Sequence, residues 1–361
     1  MTNIPQRMSG VQLTGHGGLD RLLYRDDLPT PAPRAGEVLI RVRATSVNNT
    51  VVNTRVGWYS KKVAGATAVG AEGYGDDVSD DASWSGAPLT FPRIQGADCY
   101  GEIVAAGEAA LEARIGERVL VRTMMRAPVD FAPFRCWTFG SECDGGFADY
   151  VAAPSADVFA IESDLDDASL GAIPCAFSTA EGMLHRTGVS AGERVLVTGA
   201  SGGGGSAAVQ LALLRGADVV AVASPAKSRA VGDLGASTVI PRDAAPLEAL
   251  GRQSVDVVVD LVGRPTFERL PELLARGGRY VTAGAIAGPA VNFDLRTLYL
   301  NDLTFFGCAF QDDVIFENLV AYLRDGQLAP HVEQTFALKN IRDAQARFLK
   351  KDFVGKLALI P

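Results

Sequence analysis

An apolar run, Val195-Leu196-Val197, breaks into Thr198-Gly199-Ala200-Ser201-Gly202-Gly203-Gly204-Gly205-Ser206 and passes into a helix-like run, Ala207 to Leu214. Glycines at such a break let the backbone turn tightly and approach a bulky anion. A helix opening there offers unpaired N–H groups and the positive end of its dipole. This is chemistry for a pyrophosphate, with Ser201, Gly202, Gly203, Gly204 and Gly205 as its cradle. A flexible linker is the competing reading, but apolar segments border the loop tightly on both sides. About 20 residues on, where an acid would hold the hydroxyls of an NAD ribose, the chain reads Ser224-Pro225-Ala226-Lys227-Ser228-Arg229, and Arg242 follows the next strand-like run. A hydroxyl and cations suit a 2′-phosphate, so Ser224, Lys227, Arg229 and Arg242 point to NADP(H). The alternative is that Lys227 and Arg229 are solvated helix charges.

These residues need a sheet to hold them. From about Glu193 strand-like and helix-like runs alternate, the pattern of a parallel sheet. The candidate strands after the glycine loop are Ala217–Ala223, Thr238–Ile240, Val255–Leu261, Gly278–Gly284 and Leu303–Gly307, six in all with the first. Asp260-Leu261-Val262-Gly263 and Ala283-Gly284-Ala285 fall at carboxyl ends of strands, where ligands bind. Val262, Gly284 and Ala285 are therefore candidate main-chain contacts. The first ~160 residues instead show short alternating runs broken by Gly and Pro, such as Glu37–Arg43 and Glu117–Val121, as β-rich domains do. Between Lys61 and Pro92 that pattern lapses around an acidic knot, Asp76, Asp77, Asp80 and Asp81. A connection that long is a lid, a binding loop or a solvated insert. The tail from Phe316 reads helix, strand, helix, strand, too short to stand alone, and is expected to return to the first domain.

A length of 361 residues suggests about two domains. With 47% hydrophobic residues the chain can bury a large core, and a net charge of −8 without a basic run argues against nucleic acid as a partner. The sequence has no run of 18 apolar residues and no signal-peptide core after Met1, so a cytoplasmic protein with no membrane association is expected. Five scattered cysteines, Cys99, Cys136, Cys143, Cys175 and Cys308, read as reduced thiols rather than a disulfide framework.

Several segments resemble the medium-chain dehydrogenase/reductase superfamily, and within it the zinc-free quinone oxidoreductase-like branch. Pro33–Val42 is similar to the family's opening strand, Gly145-Gly146-Phe147-Ala148-Asp149-Tyr150-Val151 to its glycine-aromatic segment, and Val189–Val197 to its lead into the glycine loop. Gly355-Lys356 sits near the end, as in the family. The resemblance spans nearly the whole chain. It implies an α/β fold: a GroES-like β-barrel catalytic domain over residues 1–165 and 311–361, plus a Rossmann doubly wound parallel sheet over 166–310. Hydride chemistry belongs in the cleft between them.

In zinc members a Cys, a His and a third Cys or acid hold the metal. The corresponding positions here are Asn48, Ala97 and Cys175. One thiol with an amide and a methyl is too little for zinc, even with Asp98 added. Cys175 is expected to be a packed core thiol, and His16, His185 and His331 to serve surface or packing roles. Without a Lewis acid, an already activated substrate is favoured: a quinone or a carbonyl-conjugated alkene. The resemblance implies Asn48 and Tyr59 as catalytic residues beside the nicotinamide, with Thr179 contacting its side; Tyr59 reads equally well as an ordinary half-buried aromatic. The competing functions are an alcohol dehydrogenase of the same superfamily and a cofactor-binding member without catalysis. An apolar edge strand at Leu303–Gly307 predicts a homodimer.

Overall fold

Six strands, all parallel, lie side by side in the order Thr238–Pro241, Asp218–Ala223, Arg194–Val197, Val255–Asp260, Leu274–Thr282, Thr304–Gly307 in the computed structural model, which describes residues 4–75, 78 and 80–361. These are the six strands expected from the sequence, shifted by a few residues at their ends. Helices cover both faces, so the central strands are nearly unbroken Val and Ala, without the alternation of a one-sided sheet. The strand order reverses at Arg194–Val197, and there the glycine loop begins. A sheet of this order opens its ligand crevice at that reversal.

The helix after the loop runs over Gly203–Leu214, four residues earlier than the apolar pattern suggested. Small residues make that early start possible, because a Cβ on Gly205 would drive into the Gly199 carbonyl. The helix Pro174–Thr187 packs against Gly203–Leu214, and Asp313–Arg324 packs on Pro174–Thr187. Phe177, Leu184, Leu211, Phe316 and Leu319 join these helices in one buried core.

The second body of the fold is built on the strand Glu37–Ser46. It pairs antiparallel with Tyr100–Ala106 and Tyr150–Pro154 and, at its far end, with Lys356–Ile360. The tail has the expected rhythm, Asp313–Arg324, Val332–Ala337, Ile341–Lys350, Lys356–Ile360, and its two strands join this sheet. Residues 61–92 are not a solvated insert. Val63, Val78 and Ala82 are buried, and the Trp58 indole N–H donates to the Gly65 carbonyl at 2.9 Å. Asp80 and Asp81 of the acidic knot are described, and Asp76 and Asp77 lie outside the described residues, as do Met1 to Asn3. Among the described residues no helix is long and apolar enough to cross a membrane.

A buried cation ties the second body to the tail helix Asp313–Arg324. Arg122 lies 2.8 Å from Asp313 and 3.7 Å from Asp157, and its guanidinium stacks near the rings of Phe159 and Phe316. Asp157 is fully buried and also accepts from the main-chain N–H groups of Arg126 and Ala127. Replacing Arg122 with Met strands that carboxylate, and urea denaturation is expected to show a loss of about 3 kcal/mol. Asp313→Asn, at a half-exposed partner, should cost about 1 kcal/mol or less. Equal losses from the two variants would contradict this account.

Candidate active site

A cavity of about 640 Å³ lies between the two sheets. One wall is the glycine loop from Gly202 to Gly205 with Leu261 and the strand end Thr282–Ile286. The facing wall holds Asn48, Asn49, Thr50, Tyr59 and Trp84, with Cys175 and Thr179 on its floor. Phe134 and Phe310 approach across the mouth, ring centroids 5.3 Å apart.

Behind the facing wall sits Asp98, fully buried, with four donors on its carboxylate. The Ser46 hydroxyl, the Asn48 amide at 2.7 Å and the Lys356 ammonium at 3.2 Å all reach Oδ2, and the Cys175 main-chain N–H reaches Oδ1 at 2.6 Å. Lys356 is itself buried and donates also to Asn48 Oδ1. Asn48 therefore lines the cavity with both ends of its amide engaged. Ala97 is packed in the core. Cys175 differs from expectation: it is not sealed in the core but half-buried at the cavity. The reason is its place in the first turn of the helix Pro174–Thr187, whose start faces the cleft. Burial and the nearby Asp98 push its thiol up to about 12, so it is an unreactive thiol at neutral pH. Among the described residues no three His, Cys, Asp or Glu side chains converge as a metal site. His16 packs on Phe91, His185 is exposed and His331 faces Glu333.

Tyr59 is half-buried on the same wall. Its hydroxyl donates to Thr50 Oγ1 at 3.1 Å, and its ring meets Trp84 edge-on at 4.9 Å. Burial pushes its pKa well above the ordinary phenol value, so the hydroxyl keeps its proton across neutral pH.

The glycine loop fits a dinucleotide phosphate. It lines the cavity, and its N–H groups at the first turn of Gly203–Leu214 have no partner within the helix. Lys356 passes so close that a Cβ on Gly203 would collide with its side chain. Ser201 sits just behind, its carbonyl accepting from Gly355 N–H at 2.9 Å. Val262 is likewise in the second layer, its N–H held by Asp260. Gly284 and Ala285 line the cavity, as does Thr179. The cation group lies past the loop. Ser224 caps the turn after Asp218–Ala223, and Lys227 and Arg242 come close enough that repulsion from Arg242, after burial, helps lower the Lys227 ammonium from its ordinary value. Arg229 is exposed in the next short helix. Lys227 donates to the Lys351 carbonyl at 2.5 Å, a contact between segments far apart in sequence.

The structure thus gathers Asn48, Tyr59, Thr179, the loop glycines, Gly284 and Ala285 around one cavity. Sequence reading missed Thr50, Trp84 and the Lys356–Asp98 pair. Gly355-Lys356 had been noted without a role, and Asp98 only as a spare oxygen donor.

Comparison with known proteins agrees with this architecture. The family model for the alcohol dehydrogenase GroES-like domain matches residues 34–163, and the model for zinc-binding dehydrogenase matches 203–324. A crystal structure from Sinorhizobium meliloti 1021, of a protein provisionally called an alcohol dehydrogenase, is 43% identical, with a TM-score of 0.88, over 100% of this chain and 98% of that one. The acryloyl-coenzyme A reductase of Metallosphaera sedula is 26% identical over 92% of this chain and 95% of its own. The human quinone oxidoreductase is 26% identical over 98% of both. On these matches and the two-sheet fold around a glycine loop, the chain belongs to the medium-chain dehydrogenase/reductase superfamily of oxidoreductases.

Proposed function

We propose that this chain is a cytoplasmic, NADPH-dependent reductase of a quinone or a carbonyl-conjugated alkene, working without zinc. The Asp98 cluster carries the reading. At the positions where zinc members place ligands stand an amide and a methyl, and the neighbouring carboxylate already accepts from Lys356, Asn48, Ser46 and the Cys175 N–H. A site of this composition favours a substrate whose carbonyl is activated by conjugation. Two relatives are named for such substrates, a quinone and an acryloyl thioester, and the cavity's Trp58, Tyr59, Trp84, Phe134 and Phe310 offer an apolar wall to one. Five unpaired cysteines support a reducing compartment.

Residues 166–310 would hold the dinucleotide, with residues 1–165 and 311–361 forming the substrate side. The pairing of Lys356–Ile360 with Glu37–Ser46 supports that division. Ser201 to Gly205 would cradle the pyrophosphate, Thr179, Val262, Gly284 and Ala285 the nicotinamide end, and Ser224, Lys227, Arg229 and Arg242 the 2′-phosphate. Bound there, the cofactor supplies a hydride. Tyr59, whose hydroxyl donates to Thr50 in this structure, is assigned to turn that O–H to the substrate oxygen and donate a hydrogen bond as negative charge develops. Asn48, engaged at both ends, positions that wall and holds the Lys356 charge near it.

Three outcomes are expected. Wild-type protein should bind NADPH more tightly than NADH, and Lys227→Ala should weaken NADPH binding about tenfold or more while leaving NADH nearly unchanged, since a charge-assisted bond to phosphate is lost. Equal binding of both cofactors by the wild type would reject the assignment. In turnover assays with NADPH and a panel of quinones, enones and simple alcohols, run on protein checked for zinc by elemental analysis, conjugated carbonyls should be reduced by metal-free enzyme. Tyr59→Phe should then lower kcat by about 10². Turnover confined to zinc-loaded protein and alcohols would favour a conventional alcohol dehydrogenase, and no turnover at all a cofactor-binding protein. Finally, Thr304–Gly307 is a free sheet edge, and the preceding segment exposes Leu295, Tyr299 and Leu300. A homodimer through that edge is expected, and a monomer in sedimentation at micromolar concentration would refute it.

A further inference from the structure

The helix Asn49–Val56 buries Val51, Val52 and Val56, and Asn53 is buried among them. Asn favours caps and turns, so an amide buried inside a helix needs partners for both of its ends. One end is settled. The hydroxyl of Thr67, itself buried, donates to Asn53 Oδ1 at 2.8 Å. With that oxygen taken, what the amide has left is its NH2, a donor only. Asn53 lines the cavity in company with Thr50 and Tyr59.

Thr50 and Asn53 are three residues apart on the helix and share a face. The Tyr59 hydroxyl donates to Thr50 Oγ1 at 3.1 Å. The Asn53 amide acts on the same hydroxyl and favours its charged form against burial, as a donor to the phenol oxygen does. A phenol oxygen can accept while its own proton is donated elsewhere. The two neighbours therefore play different parts: Thr50 takes the proton, and Asn53 offers one. Turning the O–H from Thr50 to a substrate breaks the first contact and leaves the second.

Thr67 also reaches across the cleft. Its main-chain N–H donates to the Ile286 carbonyl at 3.1 Å, on the wall opposite Tyr59. The sense in which the Asn53 amide is turned thus depends on a residue of segment 61–92 that is pinned to the far wall.

We propose that Asn53 is the positioning residue for Tyr59: its amide, held in one sense by Thr67, anchors the phenol oxygen while the O–H swings from Thr50 to the substrate oxygen. This rests on the assignment of Tyr59 as the hydrogen-bond donor, and Asn53 acts only through it. The anchor does two things. It keeps the phenol oxygen at one point of the wall, so the donor is in place before charge develops. It also strengthens the Tyr59 O–H as a donor, because chained hydrogen bonds polarise one another. Both effects grow as charge gathers on the substrate oxygen, so they belong to kcat rather than KM.

The test is a double-mutant cycle on the full chain. kcat and KM are measured with NADPH and two probes, but-3-en-2-one and 1,4-benzoquinone, and NADPH affinity is measured by calorimetry. Asn53→Leu should lower kcat about fivefold to tenfold, the loss of one hydrogen bond, with KM and NADPH affinity nearly unchanged. In Tyr59→Phe protein the same substitution should cost no further kcat, because the ring has no oxygen to anchor. Thr67→Val should show a smaller fall of the same kind, and Thr67→Ser, which keeps the hydroxyl, should match wild type. An equal fall in kcat from Asn53→Leu with and without the Tyr59 hydroxyl overturns the proposal and leaves the role of Tyr59 standing, and so does an unchanged kcat. Should Asn53→Leu fail to fold, the cycle is run on Thr67→Val and decided by the same criterion. Wild-type kcat in Tyr59→Phe, or a wild-type protein that reduces neither probe, overturns the Tyr59 assignment together with the proposal.

Discussion

A carboxylate sealed from water must be surrounded by donors, because an unpaired buried charge costs several kcal/mol. Asp98 meets that demand with four donors from three separate stretches of chain: Ser46 and Asn48 at the junction of a strand and a helix, the Cys175 N–H at the start of another helix, and Lys356 in the strand Lys356–Ile360. Satisfying one side chain therefore fixes three pieces of backbone relative to each other. The glycine loop is drawn into the same assembly, since Gly355 bonds to Ser201 and pairs with Gly202 next to Lys356. The wall that faces the cofactor crevice is in this sense built around one acid.

The opposite wall uses a second buried acid in the same way. Asp260 accepts from Thr198 at 2.5 Å, from Tyr280 at 2.6 Å and from the N–H groups of Val262 and Gly263. That shapes the turn after Val255–Asp260 and leaves Leu261 facing the cavity. Both acids point inward, away from the cleft. The cleft itself is left with glycine N–H groups, hydroxyls, aromatic rings and a cationic margin, and none of the described residues lining it carries a carboxylate that would repel an anion.

What could be read from the sequence follows from the range of the interactions. The glycine loop, the six strands and the tail's alternation were legible because strand burial and helix starts are written in neighbouring residues. Tertiary partners were not. Lys356 and Asp98 are 258 positions apart, and nothing local in either says that the other neutralises it. Residues 61–92 looked like an insert because their packing uses single anchors, Val63, Val78, Ala82 and Trp84, with no period to detect. Cys175 was expected in the core because Asn48 and Ala97 leave its thiol without partners for a metal. Its exposure depends on the direction in which its helix begins. The roles given to Asn48 and Tyr59 came from resemblance, and geometry separates them: one side chain is engaged at both ends, while the other keeps a hydroxyl at the cavity.

The pairing of the first sheet with the last strand has a consequence for how the molecule is made. Asn48 and Lys356 are 308 residues apart. At a synthesis rate of 5–20 residues per second, the end of Glu37–Ser46 waits roughly 15–60 s before Lys356–Ile360 emerges to cover it. Through that interval the nascent chain carries an open strand end and a carboxylate without its cation, while Arg194–Val197 and its parallel neighbours already have their partners in order of synthesis. The parallel strands between 194 and 307 thus precede the strand that the antiparallel sheet still lacks, and Lys356–Ile360 both closes that sheet and neutralises its acid. Emergence of Lys356–Ile360, rather than collapse of the first sheet, becomes the step that completes this wall of the cavity.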